Sequence, residues 1–358
     1  MAISPATGER VAVYIARIYA DAEQDVMQIL AREFRKDEPG KDIEQWAESK
    51  LRDLQNVRSE IRQNVVGNLE REIPPELENR LEEIYKRGQG SAVADLRRVL
   101  DEDDIDVTEG FTRANRRTVE ALAKETVEKT SAANMRILRS VNDQYRRIVS
   151  EATEKVATGV ATRQQASQQA LNKFANRGVT GFVDQAGRNW DIQSYAEMSV
   201  RSASGRAAIQ GQKDRLQEND RDLVIVSDHA EECELCRPWE GKVLSISGEH
   251  NTFPPLSQAE EEGLFHPNCA HSLGAYIHNL TEPPEPESTP DEYEDRQQQR
   301  YLERGIRKWK RRKAAGMTED EQEKAQSKVR EWQGRLADFI EDSSRRRKYE
   351  RESLDRAR

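Results

Sequence analysis

Cysteine, histidine, aromatic residues and long apolar runs are all scarce in this chain of 358 residues. Three cysteines are too few for a disulfide framework, so a reducing cytosol, or an assembly built in one, is the expected setting. Apolar residues reach 35% and aromatic ones 6%. An ordinary globular domain is about 45–50% apolar with glycine counted, so one ball with a deep core is excluded and long, thin elements are favoured. No stretch approaches the ~18 consecutive apolar residues of a membrane span, and the N-terminal residues lack the apolar core and cleavage site of a secretory signal. An integral membrane protein is excluded on this reading, and Sec-dependent export is not expected. Hydrolase and phosphate-loop signatures are missing too: no serine sits in a Gly-x-Ser-x-Gly elbow, and no Gly-Lys-Ser/Thr follows Gly88-Gln89-Gly90-Ser91. That glycine pair reads instead as a helix stop followed by the Ser91 N-cap.

What abounds is charge. Lys and Arg number 57 against 66 Asp and Glu, a net charge of −9, and 34% of residues are charged. Helical stripes carry the apolar residues that remain. Val13, Ile15, Ile18, Val26, Ile29, Leu30 and Phe34 predict a helix over 11–35. Trp46, Leu51, Leu54, Val57 and Ile61 predict another over 42–66. Pro74 and Pro75 then punctuate the chain, and two shorter amphipathic pieces follow over 76–86 and 91–100. From Thr108 to Thr158 the positions Leu138, Val141, Tyr145, Ile148 and Ala152 form a stripe one side chain wide, suited to a bundle helix of the same chain or to a seam between subunits. Helices are expected over 161–175 and 194–219, a short β-hairpin over 181–192 and a strand over 222–226.

All three cysteines and all five histidines lie between His229 and His278. Cys233-x-x-Cys236 has the spacing at which a tight turn chelates one ion, and His266-x-x-Cys269 offers a second pair about thirty residues later. Together they supply the four N/S ligands of a closed, structural zinc site, with Arg237 and Lys242 as nearby cations. His229 and His271 flank the set as alternates, since six candidates exceed four places. The other readings are a metal-free core of small thiols and a redox dithiol; Pro238 and Gly241 follow too soon for the helix a dithiol normally opens. No histidine outside the window is left to act as a base, and carboxylate pairs such as Asp103–Asp104 are common in so acidic a chain. No positive sign of an enzyme emerges.

Beyond the window, residues 281–295 are acidic and proline-rich and read as an extended spacer. Helical stripes resume over 297–312 and 318–340, and residues 343–358 have little to pack. Two basic clusters occupy this tail: Arg307, Lys308, Lys310, Arg311, Arg312 and Lys313, then Arg345, Arg346, Arg347 and Lys348. Each reads either as a solvated helix face or as a contact for a phosphate backbone or an acidic partner. A nucleic-acid module built on the Cys/His domain itself is opposed by the many glutamates of the window, among them Glu231, Glu232, Glu234 and Glu240.

Several unlike motifs occur in one order: NWDIQSYAEMSVRSASGRAA (Asn189–Ala208), VIVSDH (Val224–His229), Trp239-Glu240-Gly241-Lys242 and GLFHPNCAHS (Gly263–Ser272). That order resembles the tailed-phage minor capsid protein 2 family, and the half of the window with C-x-x-C and H-P-N-C is similar to the phage Mu F-like head morphogenesis proteins. The first likeness implies His229, Cys236, Cys269 and His271 as the marked polar positions, the second Cys233, Cys236, His266 and Cys269. Ala270 stands where arginine is usual. The resemblance further implies a non-enzymatic virion component made in the host cytoplasm and placed at the portal vertex and capsid interior. Portal protein, major capsid protein and sister copies would be its partners, with DNA contact through the tail, in assembly or in DNA packaging and delivery. The expected fold is mainly α, an elongated helical bundle with a small metal-stapled α+β domain. Its segments are N-terminal helical hairpins over 1–105, long helices over 106–221, the Cys/His domain over 222–280, the linker over 281–295 and the basic tail over 296–358.

Overall fold

The computed structural model describes residues 5–36, 38, 40–100, 105, 110–178, 180–183, 189–228, 234–266, 269, 271–281, 290–343 and 345–353. The fold is mainly helical with a little sheet. In order, the elements are α1 (Pro5–Arg35), α2 (Ile43–Glu60), a π-helical turn (Ile61–Val66), α3 (Gly67–Leu96), α4 (Arg113–Ala157), α5 (Arg163–Arg177), β1 (Thr180–Val183), β2 (Asn189–Asp191) and α6 (Ile192–Glu218). There follow β3 (Leu223–Val226), a 3-10 turn (Arg237–Trp239), β4 (Val243–Ser245), α7 (Leu256–Glu261), β5 (Leu273–Ala275), α8 (Pro290–Ala314), α9 (Glu319–Ser343) and α10 (Tyr349–Glu352).

The chain forms two compact units, each gathering three stretches: Met1–Ile15, Ile73–Lys129 and Glu197–Gln297 in the first, Ala16–Glu72, Thr130–Ala196 and Gln298–Arg358 in the second. In the first unit β3 lies between β4 and β5, both antiparallel to it, with Val224 opposite Leu244 and Ala275. Val224, Val226, Leu244 and Leu273 bury one core with Leu256, Ala259 and Leu264. Helices complete that core, α3 through Ala92 and Leu96 and α6 through Ile209 and Leu216. The sheet therefore draws its burial from long helices as well as from its own short strands.

Helix α3 corrects two expectations. It runs unbroken through Pro74 and Pro75, where the prolines were expected to end an element. Leu69, Ile73, Leu77, Leu81, Ile84 and Tyr85 are buried at helical spacing on both sides of them, so packing overrides the local cost of proline. Glu72 and Ile73, just before the prolines, mark a division between the compact units. Nor do Gly88 and Gly90 stop the helix, and Ser91 lies inside it rather than at its start. A Cβ on Gly88 would stand 2.2 Å from the Ala208 carbonyl oxygen, and one on Gly211 2.2 Å from that of Tyr85. These glycines let α3 and α6 cross at backbone contact.

In the second unit the α4 stripe is buried as the spacing requires: Leu138, Val141, Tyr145, Ile148 and Ala152 are each at most 5% exposed. Tyr145 meets Phe34 of α1 with ring centroids 4.8 Å apart, so the stripe packs inside its own chain. Thr162 and Gln165 close a capping box at the start of α5. β1 and β2 pair antiparallel, Phe182 opposite Trp190, as the expected hairpin. Residues 282–289 of the expected spacer lie outside the described residues, but 290–295 are helical, because Pro290 occupies the first position of α8, where its missing N–H costs nothing. The final residues also pack more than expected: Arg351 and Glu352 are buried, and Arg347 pairs with Glu352 at 2.7 and 2.8 Å. α8 and α9 form an antiparallel-type pair of stripes around Leu302, Ile306, Val329 and Leu336, lined by Trp309, Trp332, Phe339 and Ile340.

Candidate metal centre

Two loops converge at the end of β3. Val226 accepts from the Gly241 N–H at 3.1 Å and donates to the Lys242 carbonyl at 3.1 Å, which ties down the loop carrying Cys236. Ser227 donates to the Ser272 carbonyl at 2.9 Å, and its hydroxyl accepts from the Ser272 N–H at 2.9 Å, which ties down the loop carrying Cys269 and His271. In the first loop Cys236 opens the 3-10 turn, its carbonyl accepting from the Trp239 N–H at 2.9 Å. In the second, the Cys269 N–H donates to the His266 carbonyl at 2.9 Å, and Phe265 holds a left-handed φ of 60° that swings the chain into His266.

The sulfur and nitrogen atoms of Cys236, His266 and Cys269 all lie within 4.8 Å of one another. Cys236 Sγ and Cys269 Sγ are 3.6 Å apart. Two thiolates on one tetrahedral zinc, at a Zn–S distance of about 2.3 Å, are separated by about 3.8 Å, so the donor set fits such an ion. His271 stands beside Cys269: its Nδ1 is 3.2 Å from Cys269 Sγ, and its Nε2 is hydrogen-bonded to a Glu240 carboxylate oxygen. Cys236 is fully buried, while Cys269 and His266 are half-buried. The Cys236 thiol and the His271 ring hold the Cys269 thiol well below its ordinary value against the opposing effect of burial. Burial pulls His271 the other way, but Cys269 and Glu240 raise it above the ordinary imidazole range. The thiolate form that a metal requires is thus favoured at Cys269.

Of the sequence-derived ligands, the structure brings together Cys236, His266 and Cys269, with His271 beside Cys269. Cys233, His229 and Ala270 lie outside the described residues. His250 serves a turn instead, its Nδ1 accepting from the N–H groups of Thr252 and Phe253 at 3.2 and 3.3 Å. Nothing in the sequence sets Glu240 apart from the other glutamates of the window; its burial beside His271 does.

The tail cations are largely turned to internal use. Arg307 and Arg311 are buried: Arg307 donates to the Arg351 carbonyl at 2.8 Å, and Arg311 to the Ala175 carbonyl at 3.2 Å and to Glu23 at 3.3 Å. Lys308 and Arg312 lie over the Trp309 ring, Lys313 donates to Gln326, and Arg345 donates to Gln299. Lys310, Arg347 and Lys348 are half-buried, and Arg346 is exposed.

A sequence profile of the family described as phage minor capsid protein 2 matches residues 3–341. A "Structural protein" of Lactococcus phage LL-H is 27% identical over 229 residues, 58% of this chain and 61% of that protein, so the chain spans under two thirds of the length of the curated relative it matches. No solved structure matches the chain. With nearly its whole length inside the family profile, the chain belongs to the phage minor capsid protein 2 family.

Proposed function

We propose that this chain is a non-enzymatic structural component of a tailed-phage virion, positioned at the portal vertex or the inner face of the head, and that its Cys/His centre holds one structural zinc ion. The family match over residues 3–341 carries the virion role. Made in the host cytoplasm, the protein would join portal protein, major capsid protein and sister copies during assembly, or accompany DNA packaging and delivery. Cys236 and Cys269 would hold the ion with His266 and Cys233, or with His271 and His229; zinc supplies a cross-link between the two loops at the end of β3. The order Cys269, His271, Glu240 is also that of a thiolate nucleophile with its base and orienting carboxylate. A second thiol and a second imidazole within 4.8 Å favour chelation over catalysis. DNA contact through the tail falls to exposed cations such as Arg304 and Arg346 rather than to Arg307 or Arg311. Quantitative mass spectrometry of purified virions and of DNA-free heads tests the role. The chain is expected in both, in few copies per particle; absence from both would contradict it.

A further inference from the structure

Among the described glutamates of the Cys/His loops, one side chain is placed unlike the others. The described glutamates Glu234, Glu249, Glu260, Glu261 and Glu262 are exposed, whereas the Glu240 side chain is 1% exposed and faces His271, itself 3% exposed. Burying a carboxylate costs several kcal/mol unless its charge and lone pairs are matched, so the placement calls for a partner that needs it. Its backbone is fixed at both ends. Glu240 closes the turn that opens on Cys236, and the next residue, Gly241, is bonded to β3 through Val226. His271 is fixed on the same strand end through Ser272 and Ser227.

A neutral imidazole that donates Nε2–H to a carboxylate keeps its lone pair on Nδ1, and a metal ion taken up there displaces the proton that Nδ1 carries in the imidazolium form. Here Nδ1 is the atom 3.2 Å from Cys269 Sγ, close to the separation of about 3.6 Å expected of a nitrogen and a sulfur sharing one zinc ion. We infer that Glu240 is a positioning residue of the metal centre, which holds the His271 ring so that Nδ1 is presented to the ion beside the Cys269 thiolate. This rests on the metal reading above and deepens it, since it makes His271 a ligand and gives that ligand its orienting carboxylate.

The test is a Co2+ titration of the full-length chain after chelator treatment, followed by visible absorption and then by zinc competition, on wild type, Glu240→Gln and His271→Ala. Glu240→Gln is expected to keep the ligand-field bands of the wild type, because the ligands are the same, while its zinc affinity falls about 10–100-fold. His271→Ala is expected to shift those bands, and should Glu240→Gln fail to fold it still keeps the inference falsifiable, because a His271 that is no ligand leaves Glu240 nothing to position. Wild-type affinity in a folded Glu240→Gln variant, with or without a drop in the stability of the metal-free protein, would overturn the inference. So would unchanged bands in His271→Ala. If wild type takes up no Co2+ or Zn2+, the metal reading itself falls and this inference with it, while the family-based virion role is untouched.

Discussion

At Gly88 two preferences of the chain oppose one another. Within a helix, glycine costs about 1 kcal/mol relative to alanine, so Gly88→Ala would stabilise an exposed site. A Cβ there would stand 2.2 Å from the Ala208 carbonyl oxygen and 3.1 Å from the Gln212 nitrogen, backbone atoms that cannot step aside. The contact should win: Gly88→Ala is expected to destabilise by about 1–3 kcal/mol, read by chemical denaturation, and a stabilised variant would show that the crossing of α3 and α6 is looser than described. Glu38 sets a second test at the same scale. Burial alone would raise its pKa, but hydrogen bonds from Lys41, Lys50 and Ser49 bring it from 4.5 down to about 2. Lys50 is fully buried and lies 3.0 Å from this carboxylate. Because the folded value is the lower one, the unfolded chain binds the extra proton as pH falls. The stabilisation is therefore complete above about 4.5 and is lost as pH falls towards about 2. The stability gap between wild type and Glu38→Gln, followed by thermal melts over that window, should close at the acid end. A gap that persists there would mean that the ion pairs are not its source.

Among the elements, those legible in the sequence are the ones whose burial follows a simple period. The stripes of α4, α8 and α9 could be read because each buries one face, that of α1 because its exposed positions Asp25, Gln28, Arg32 and Arg35 recur at helical spacing, and the β1–β2 hairpin because polar residues separate its apolar ones in the sequence. Gly88 and Pro74 misled for a shared reason: both are breakers by local preference, and here long-range packing against α6 and along the buried face of α3 decides. The Cys/His spacing likewise revealed which residues gather but not that Glu240 is drawn in beside them, since only the fold distinguishes a buried glutamate from five exposed ones. The basic tail carries the same lesson. Its charge suggested a surface for phosphate, yet Arg311 ties α8 to Glu23 of α1 and to the end of α5, with Glu23 fully buried. Arg311→Met is expected to cost about 3–5 kcal/mol, because it removes one partner of a buried pair, whereas Arg346→Ala at an exposed site should be nearly neutral. Equal, small effects of the two substitutions on the melting temperature would show that α8 is not anchored through this pair.

For the molecule as a whole, low apolar content and abundant charge are met by building each compact unit from stretches distant in sequence, with the divisions inside helices α1, α3, α4, α6 and α8. The small sheet illustrates the consequence. Its strands are three or four residues long, and they are buried because α3 and α6 complete their core. A metal ion in this setting would pin the loops at the end of β3 rather than hold the whole unit together. Its removal is expected to lower the melting temperature and loosen those loops to proteolysis while leaving most of the helical circular dichroism intact. Elemental mass spectrometry of the purified full-length chain, prepared without chelators, with Cys236→Ala and Cys269→Ala alongside, tests the central claim most directly. One zinc per chain in wild type, lost in both variants, is the predicted result; a wild-type chain with no bound metal would contradict it.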